Sequence, residues 1–384
     1  MFNWRTTLSF TALLAPVLVY SIQPPDWPFD VTSITAPDES ITAKFVSLGA
    51  TMTELWVKDK NGDSRDVIIG YDNETMLLTD PAHPMFNPIV GRYAGRIKNG
   101  TFSIPVTKDP QPSGPNVFHT SLNDMNGLDT LHGGTVGWDR RNWTIVQRTR
   151  SSVTYKHVDT ADEGFPGVVT AYVTHEVSSG GFLKTSVRAT ATAETPIMIT
   201  QHVYWNLDAF QDGVSDVLGH QLKVDGSRVI QLDSISVPTG EFVNVASTPF
   251  DFRKGKLIGG PDWNNTLNLC GAGCQGFDHC WVYDDSHGGR PKTTLKGQKS
   301  GIKLEIFTDQ AATQIFTAYW LILLNMPRKR AHGGPALTYP AWAAVALEQQ
   351  GYADAINNPE WGVNQIYGPK RPYIWSTTYK LSTA

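Results

Sequence analysis

The sequence predicts an all-β protein, a large antiparallel β-sandwich, on three observations. Five runs, 40–47, 152–158, 168–177, 183–191 and 302–308, are short, rich in β-branched residues and alternate along the chain, which is the pattern of strands with one face buried. Few segments hold apolar residues at helical spacing for three turns. The 34 Gly and 24 Pro are spread between the runs as punctuation, as many short strands joined by turns require.

Composition bounds the rest. A chain of 384 residues, 40% hydrophobic and 18% charged, can bury a large core and is neither disordered nor fibrous in character. The formal net charge of -4 supplies no basic surface for nucleic acid or an anionic membrane, so a small neutral ligand is the better expectation. No linker, charge block or internal repeat marks a boundary, and residues 23–384 read as a single β domain. Ahead of it, Arg5 and the apolar run Leu8–Ser21 read as a cleaved secretory signal peptide over residues 1–22, too short to span a bilayer. The expected product is secreted and extracellular, and four glycosylation acceptors, at Asn73, Asn99, Asn142 and Asn264, fit export. Oligomeric state is not legible.

Three cysteines lie close together, Cys270, Cys274 and Cys280. In an exported protein one pair is expected to form a local disulfide and leave the third free, with the pairing open. A zinc site would want a fourth ligand at a recognisable spacing, and only His279 is near.

Candidate chemistry appears at several places. In 91–97 two arginines, Arg92 and Arg96, stand four apart among glycines, where the backbone bends and guanidinium forks can point at oxygens. In 131–139 His132 sits at the lip of a glycine-rich turn beside Trp138, a pairing suited to stacking one face of a ligand while bonding its hydroxyls. The stretch 200–208 alternates, so an extended strand would put His202, Tyr204 and Asn206 on a polar face and Val203, Trp205 and Leu207 on an apolar one. Asp278 and His279 are adjacent, so in a strand only one of them faces a given site. Gln310 and Gln314 follow, and the apolar run from Trp342 carries one acid, Glu348, at its polar end. A carboxylate in such a place is a candidate base with a shifted pKa.

Taken in order, Gly91-Arg-Tyr-Ala-Gly-Arg96-Ile, Leu131-His-Gly-Gly134 with Gly137-Trp138, Asp162-Glu-Gly-Phe-Pro-Gly167, His202-Val-Tyr-Trp-Asn-Leu207, Thr248-Pro-Phe-Asp-Phe252, Phe277-Asp-His279 and Leu347-Glu-Gln-Gln350 with Asp354-Ala-Ile-Asn357 span almost the whole chain after the leader. In these motifs the sequence resembles the aldose 1-epimerase (galactose mutarotase) family. The resemblance implies a galactose mutarotase-like supersandwich that binds a free sugar in a cleft and interconverts its anomers. By motif match Glu348 would be the general base at the C1 hydroxyl and His202 the general acid at the ring oxygen. His132 would assist there or hold the sugar. Arg96, Asp278 and Gln314 would bond the other hydroxyls, and Trp205 would be a stacking wall. The chain departs from the family pattern at Gly95 and Gln201, where Asn is usual, in the cysteine cluster before Asp278, and in 319–339, which is expected to form a loop at the cleft.

The chemistry asks for such a set independently. Opening a hemiacetal removes one proton from the C1 oxygen and delivers one to the ring oxygen, and closing on the other carbonyl face reverses both transfers. A carboxylate and an imidazole suffice. Neither a nicotinamide nor a metal is required, so no cofactor is expected, and the sequence carries no dinucleotide loop or close His-x-His pair. Two alternatives use the same residues: a lectin-like binder, which would need no acid and base, and a glycoside hydrolase, in which Asp278 and Glu348 would flank a glycosidic bond.

Overall fold

The computed structural model describes residues 26–284 and 289–383, and the expected leader, residues 1–22, lies outside them. Among the described residues the chain is built from β-strands, with one four-residue α-helix, Met76–Thr79, and several short 3₁₀ turns. The five runs that alternate in the sequence form the strands Ile41–Val46, Ser152–Asp159, Val169–Ser178, Phe182–Ala191 and Ile302–Thr308. Their burial alternates along the strand, most clearly in Val169–Ser178. None of the described helices is long and apolar enough to cross a membrane.

Three antiparallel sheets carry the architecture. A nine-stranded sheet runs from Lys256–Leu257 through Gln221–Val224, Thr293–Lys296, Ile302–Thr308, Tyr373–Thr383, Phe182–Ala191, Val169–Ser178 and Ser152–Asp159 to Thr144–Arg148. A six-stranded sheet is ordered Tyr204–Trp205, Val345–Gln350, Ala312–Phe316, Asp278–Val282, Arg228–Leu232 and Pro238–Asn244. A four-stranded sheet comprises Thr32–Thr35, Ile41–Val46, Thr51–Lys58 and Ser64–Asp66. The largest buried cluster draws on all three, with Phe45, Leu55, Val173, Trp281, Leu347 and Tyr379 among its members, so each sheet contributes one apolar face to a shared interior.

The six-stranded sheet positions the site. Its inward residues, Leu347, Ile315 and Trp281, join the main core. The alternate residues, Glu348 and Gln350, Gln314 and Phe316, and Asp278 and Cys280, line a cavity on the other face. Register aligns them, with Gln314 opposite Glu348 on one side and opposite Cys280 on the other. Because side chains on paired positions of one face stand about 5 Å apart, three neighbouring strands deliver a row of polar groups to one floor.

Cys270 and Cys274 form the disulfide and Cys280 is free and buried. The four acceptor asparagines, Asn73, Asn99, Asn142 and Asn264, are all exposed. The segment 319–339 forms two 3₁₀ turns, Tyr319–Leu323 and Arg330–His332. Lys329 within it is buried, with Nζ donating to Asp66 at 2.8 Å and to the Ile68 carbonyl at 3.0 Å. That anchor ties one end of the segment to the four-stranded sheet while its other end borders the cavity.

Candidate active site

The cavity has a volume of about 590 Å³, and the row of polar side chains forms its floor. Glu348 reaches it because position 348 is on the outward parity of a strand whose two faces are both buried. His202 enters from the segment that pairs beside that strand. There the chain does not run as one strand from 200 to 208: Thr200–Gln201 pairs with Ile89–Val90, Tyr204–Trp205 pairs with Val345–Gln350, and a tight bend at His202–Val203 separates them. The bend is set by the His202 amide donating to the Pro88 carbonyl at 3.0 Å and the Val203 amide to the Gln201 carbonyl at 3.0 Å. It aims the imidazole at the carboxylate, with His202 Nε2 lying 3.3 Å from Glu348 Oε1. Tyr204 packs against the His202 ring, centroids 5.0 Å apart, and donates its hydroxyl to the Pro84 carbonyl.

His132 closes the other side, its ring edge-on to His202 at 5.4 Å. Its backbone is left-handed, φ +56, and is followed by Gly133 and Gly134, also at positive φ. The turn is fastened by Glu163, whose carboxylate accepts the amides of Thr135 and Val136 at 2.9 and 2.8 Å, and by the His132 amide, which donates to the Ala94 carbonyl. The motif around Glu163 thus supports the site without entering it.

Arg96 donates to Asp124 at 2.7 Å and stands 4.0 Å from Asp278. Gln314 in turn donates to Asp278 at 2.6 Å. Arg96, Asp278 and Gln314 therefore form one connected rail along the cavity, with donors and acceptors fixed before any ligand arrives. Arg92 has a different task. Buried, it forks onto Asp159 at 2.9 and 2.6 Å and bonds the Pro166 carbonyl, so it braces loops rather than facing the cavity.

Burial sets the electrostatics. It pushes the Glu348 carboxyl well above the ordinary carboxylate range; the negative charge of Asp278 adds to this and Arg96 opposes it. Burial also pushes His202 down to about 4, against the pull of Asp278. His132 is driven well below its usual value by burial, with His202 and Arg96 adding to the effect. Arg96 loses solvation, but Asp278 and Asp124 outweigh that loss and hold it firmly charged.

Two tryptophans assigned to the ligand from sequence are elsewhere. Trp205 is fully buried in the main core against Tyr379, ring centroids 5.4 Å apart, on the side of the strand opposite the cavity. It is not a stacking wall. Trp138 is likewise buried, with its indole donating to Asp159 at 2.7 Å and Gly91 packed beneath it. Asn206, expected to share a face with His202 and Tyr204, is buried past the end of the Tyr204–Trp205 strand and donates to the Ala343 carbonyl, whereas Tyr204 stays with His202 at the cavity. Asp278 and His279 do divide as adjacent strand residues must, Asp278 to the cavity and His279 against Phe250 in the interior.

Sequence reasoning passed over several lining residues. Gln350, Phe316 and Cys280 each stand two positions from a named site residue in the same strand, so strand parity alone would have found them. His83 also lines the cavity, with Nε2 2.7 Å from Asp139. Trp320 on the 3₁₀ turn had no sequence signal beyond being aromatic. Among the described residues no group of three or more His, Cys, Asp or Glu is placed to hold a metal ion.

Residues 30–380 match the family model for aldose 1-epimerase. The chain belongs to the aldose 1-epimerase family. It is 35% identical to a protein of Arthroderma benhamiae named "Probable aldose 1-epimerase", over 93% of this chain and 87% of that one. It is 29% identical to the galactose mutarotase of Bos taurus, over 90% and 92%. Among solved structures, an aldose epimerase homologue from C. elegans superposes with a TM-score of 0.78 at 26% identity, covering 92% of this chain and all of that one. The fold of this chain is therefore the mutarotase-like β-sandwich of that family, with the segment 319–339 bordering the cavity.

Proposed function

We propose that the protein interconverts the α and β anomers of a free aldose such as glucose or galactose, with Glu348 as general base and His202 as general acid. The observation that carries the assignment is the 3.3 Å approach of His202 Nε2 to Glu348 Oε1 on the floor of one cavity, beside a rail of groups suited to sugar hydroxyls. Glu348 takes the C1 hydroxyl proton while His202 gives a proton to the ring oxygen, and the C1 to ring-oxygen bond breaks. Rotation about C1 to C2 and reversal of both transfers gives the other anomer.

The pair changes its charge during the reaction. In this reading the pair acts from carboxylate and imidazolium and ends, with the ring open, as carboxylic acid and neutral imidazole. Burial raises Glu348 and lowers His202, and both shifts favour the uncharged pair. The same shifts lower the population of the charged pair from which the reaction starts. Arg96 works against this at Glu348, keeping the carboxylate accessible for the next turnover. In this reading Arg96, Asp278 and Gln314 position the remaining hydroxyls, and His132 assists at the ring oxygen.

Anomeric equilibration of freshly dissolved α-glucose and α-galactose, followed by polarimetry, tests the assignment. Wild type accelerates it, and Glu348→Gln loses roughly 10²–10⁴-fold in rate while still binding sugar by calorimetry. A Glu348→Gln variant as fast as wild type would remove Glu348 from the chemistry.

The reading includes export, with residues 1–22 as the leader. The exposure of all four acceptor asparagines and the Cys270–Cys274 disulfide support it. Protein recovered from the culture medium of its source should lose mass on treatment with an N-glycosidase; an unglycosylated chain found only inside cells would end this part of the reading.

A further inference from the structure

We propose that the glycan on Asn142 lies back in a groove of its own chain and caps the open edge of the nine-stranded sheet. The inference rests on the export reading and assigns a binding site to the sugar that export would attach. The edge raises the question first. Thr144–Arg148 is the last strand of that sheet and pairs on one side with Ser152–Asp159; an edge strand left open is a template for pairing with another chain. Its sequence, Thr-Ile-Val-Gln-Arg, is rich in strand formers, and Val146 at its centre is 44% exposed. The register shift between Ile145 and Gln147 bends this edge without covering it.

Asn142 stands two residues ahead of the strand, and the two line one groove of about 670 Å³. Its walls come from three places: Val136, Arg140 and Arg141 before the acceptor, Val146 on the edge strand, and Lys156 and Val158 on the neighbouring strand. Register places Lys156 opposite Thr144, so the groove lies along the edge. One pyranose at interior packing density fills on the order of 200 Å³, and the groove therefore takes the first two rings of a glycan.

The walls suit N-acetylglucosamine, the sugar with which an N-linked glycan begins. Val136, Val146 and Val158 are exposed, and the C–H face of the ring and its acetamide methyl can cover them. The guanidinium and ammonium heads offer donors to hydroxyl and carbonyl oxygens. Those heads are placed in advance. Arg141 donates through Nε to the Val136 carbonyl at 3.0 Å and pairs with Asp162 at 2.8 Å, Arg140 Nε lies 3.1 Å from His83 Nε2, and Lys156 stands over the Tyr172 ring at 5.9 Å. Walls held this way lose little freedom when a ligand arrives. Because this ligand is tethered at the groove's own lip, its effective concentration there is high, and contacts too weak to capture a free sugar suffice.

Site-by-site mass spectrometry of protein recovered from the culture medium makes the test. Under native conditions an N-glycosidase releases the Asn142 glycan roughly tenfold more slowly than the Asn73 glycan, because a seated glycan must first leave its groove, and the difference vanishes in denaturant. Val158→Glu keeps the acceptor but puts a carboxylate in the groove, and it speeds release at Asn142 toward the Asn73 rate. Asn142→Gln raises amide hydrogen exchange across 144–148 and promotes self-association seen by light scattering; Asn73→Gln does neither, and both variants leave anomeric equilibration unchanged. Equal native release rates at the two sites, or a bare Asn142 in a chain glycosylated elsewhere, overturns the docking and leaves the export reading standing. A chain without glycan at any acceptor and found only inside cells overturns both.

Discussion

His132 is held at the cavity by the backbone more than by its own ring. Its φ of +56 is costly for a residue with a Cβ and is sustained by the two glycines after it. Gly133 is the sharper constraint, since at φ +86 an added Cβ would come within 2.1 Å of the Gly91 carbonyl oxygen. Gly127 offers the control: it has a similar φ, +82, with nothing within 4 Å of an added Cβ. Gly133→Ala should therefore cost roughly 2–4 kcal/mol, combining backbone strain with a clash that only main-chain movement relieves, whereas Gly127→Ala pays about 1 kcal/mol for strain alone. Urea unfolding midpoints compare them, and equal losses would show that positive φ, not the approach to Gly91, is what matters. This constraint is partly legible: His132-Gly-Gly announces an unusual turn, but the partner carbonyl 42 positions upstream does not. Trp138 and Trp205 show the same limit. An aromatic beside a candidate histidine looks like a sugar platform until the packing reveals that its ring is covered.

The Val345–Gln350 strand explains why Glu348 could be named while its neighbours were not. Every residue in it is buried, so the alternation that identifies half-exposed strands elsewhere is masked by apolar residues on both faces. The acid stood out only because Glu is rarely buried. Parity still operates within the strand: Glu348 and Gln350 face the cavity, while Gln349 turns inward, accepts from the Tyr283 hydroxyl at 2.7 Å and donates to Thr313 at 3.0 Å. Around His202 the expected faces hold for His202 and Tyr204, which line the cavity, and for Val203, Trp205 and Leu207, which join the core; only Asn206 departs. Asn206 lies beyond the Tyr204–Trp205 pairing with Val345–Gln350, and its side chain goes to the Ala343 carbonyl instead. A period of two predicts faces only where one ladder is continuous. The segment 319–339 borders the cavity, as expected, but its anchoring was not legible, because the Lys329–Asp66 ion pair joins distant parts of the chain.

At the scale of the whole molecule, strand content was legible and strand pairing was not. The last strand, Tyr373–Thr383, lies in the middle of the nine-stranded sheet between Ile302–Thr308 and Phe182–Ala191, and local pattern carries no information about partners so far apart. The folded whole also buries an unusual set of imidazoles, which gives stability a direction in pH. Burial pushes His157, His202, His220, His279 and His332 down to about 4, and His175 to about 3. Each binds its proton more weakly folded than unfolded, so between the unfolded value near 6.5 and the folded values the unfolded chain holds more protons, and stability falls as pH falls through that window. Glu348 and Asp354, raised by burial, act the other way, since the stability they contribute is present at low pH and lost as pH rises through their folded values. His132, lowered as well, makes seven imidazoles against four carboxyls that burial raises, Asp30 and Asp129 included, and the net slope should be positive. Free energies of urea unfolding should therefore rise by several kcal/mol between pH 4.5 and 6.5 and decline above that for as long as Glu348 and Asp354 stay protonated in the folded chain. A flat curve across the window would mean that these histidines are protonated as readily in the folded protein as in the unfolded chain, and that their cover admits water.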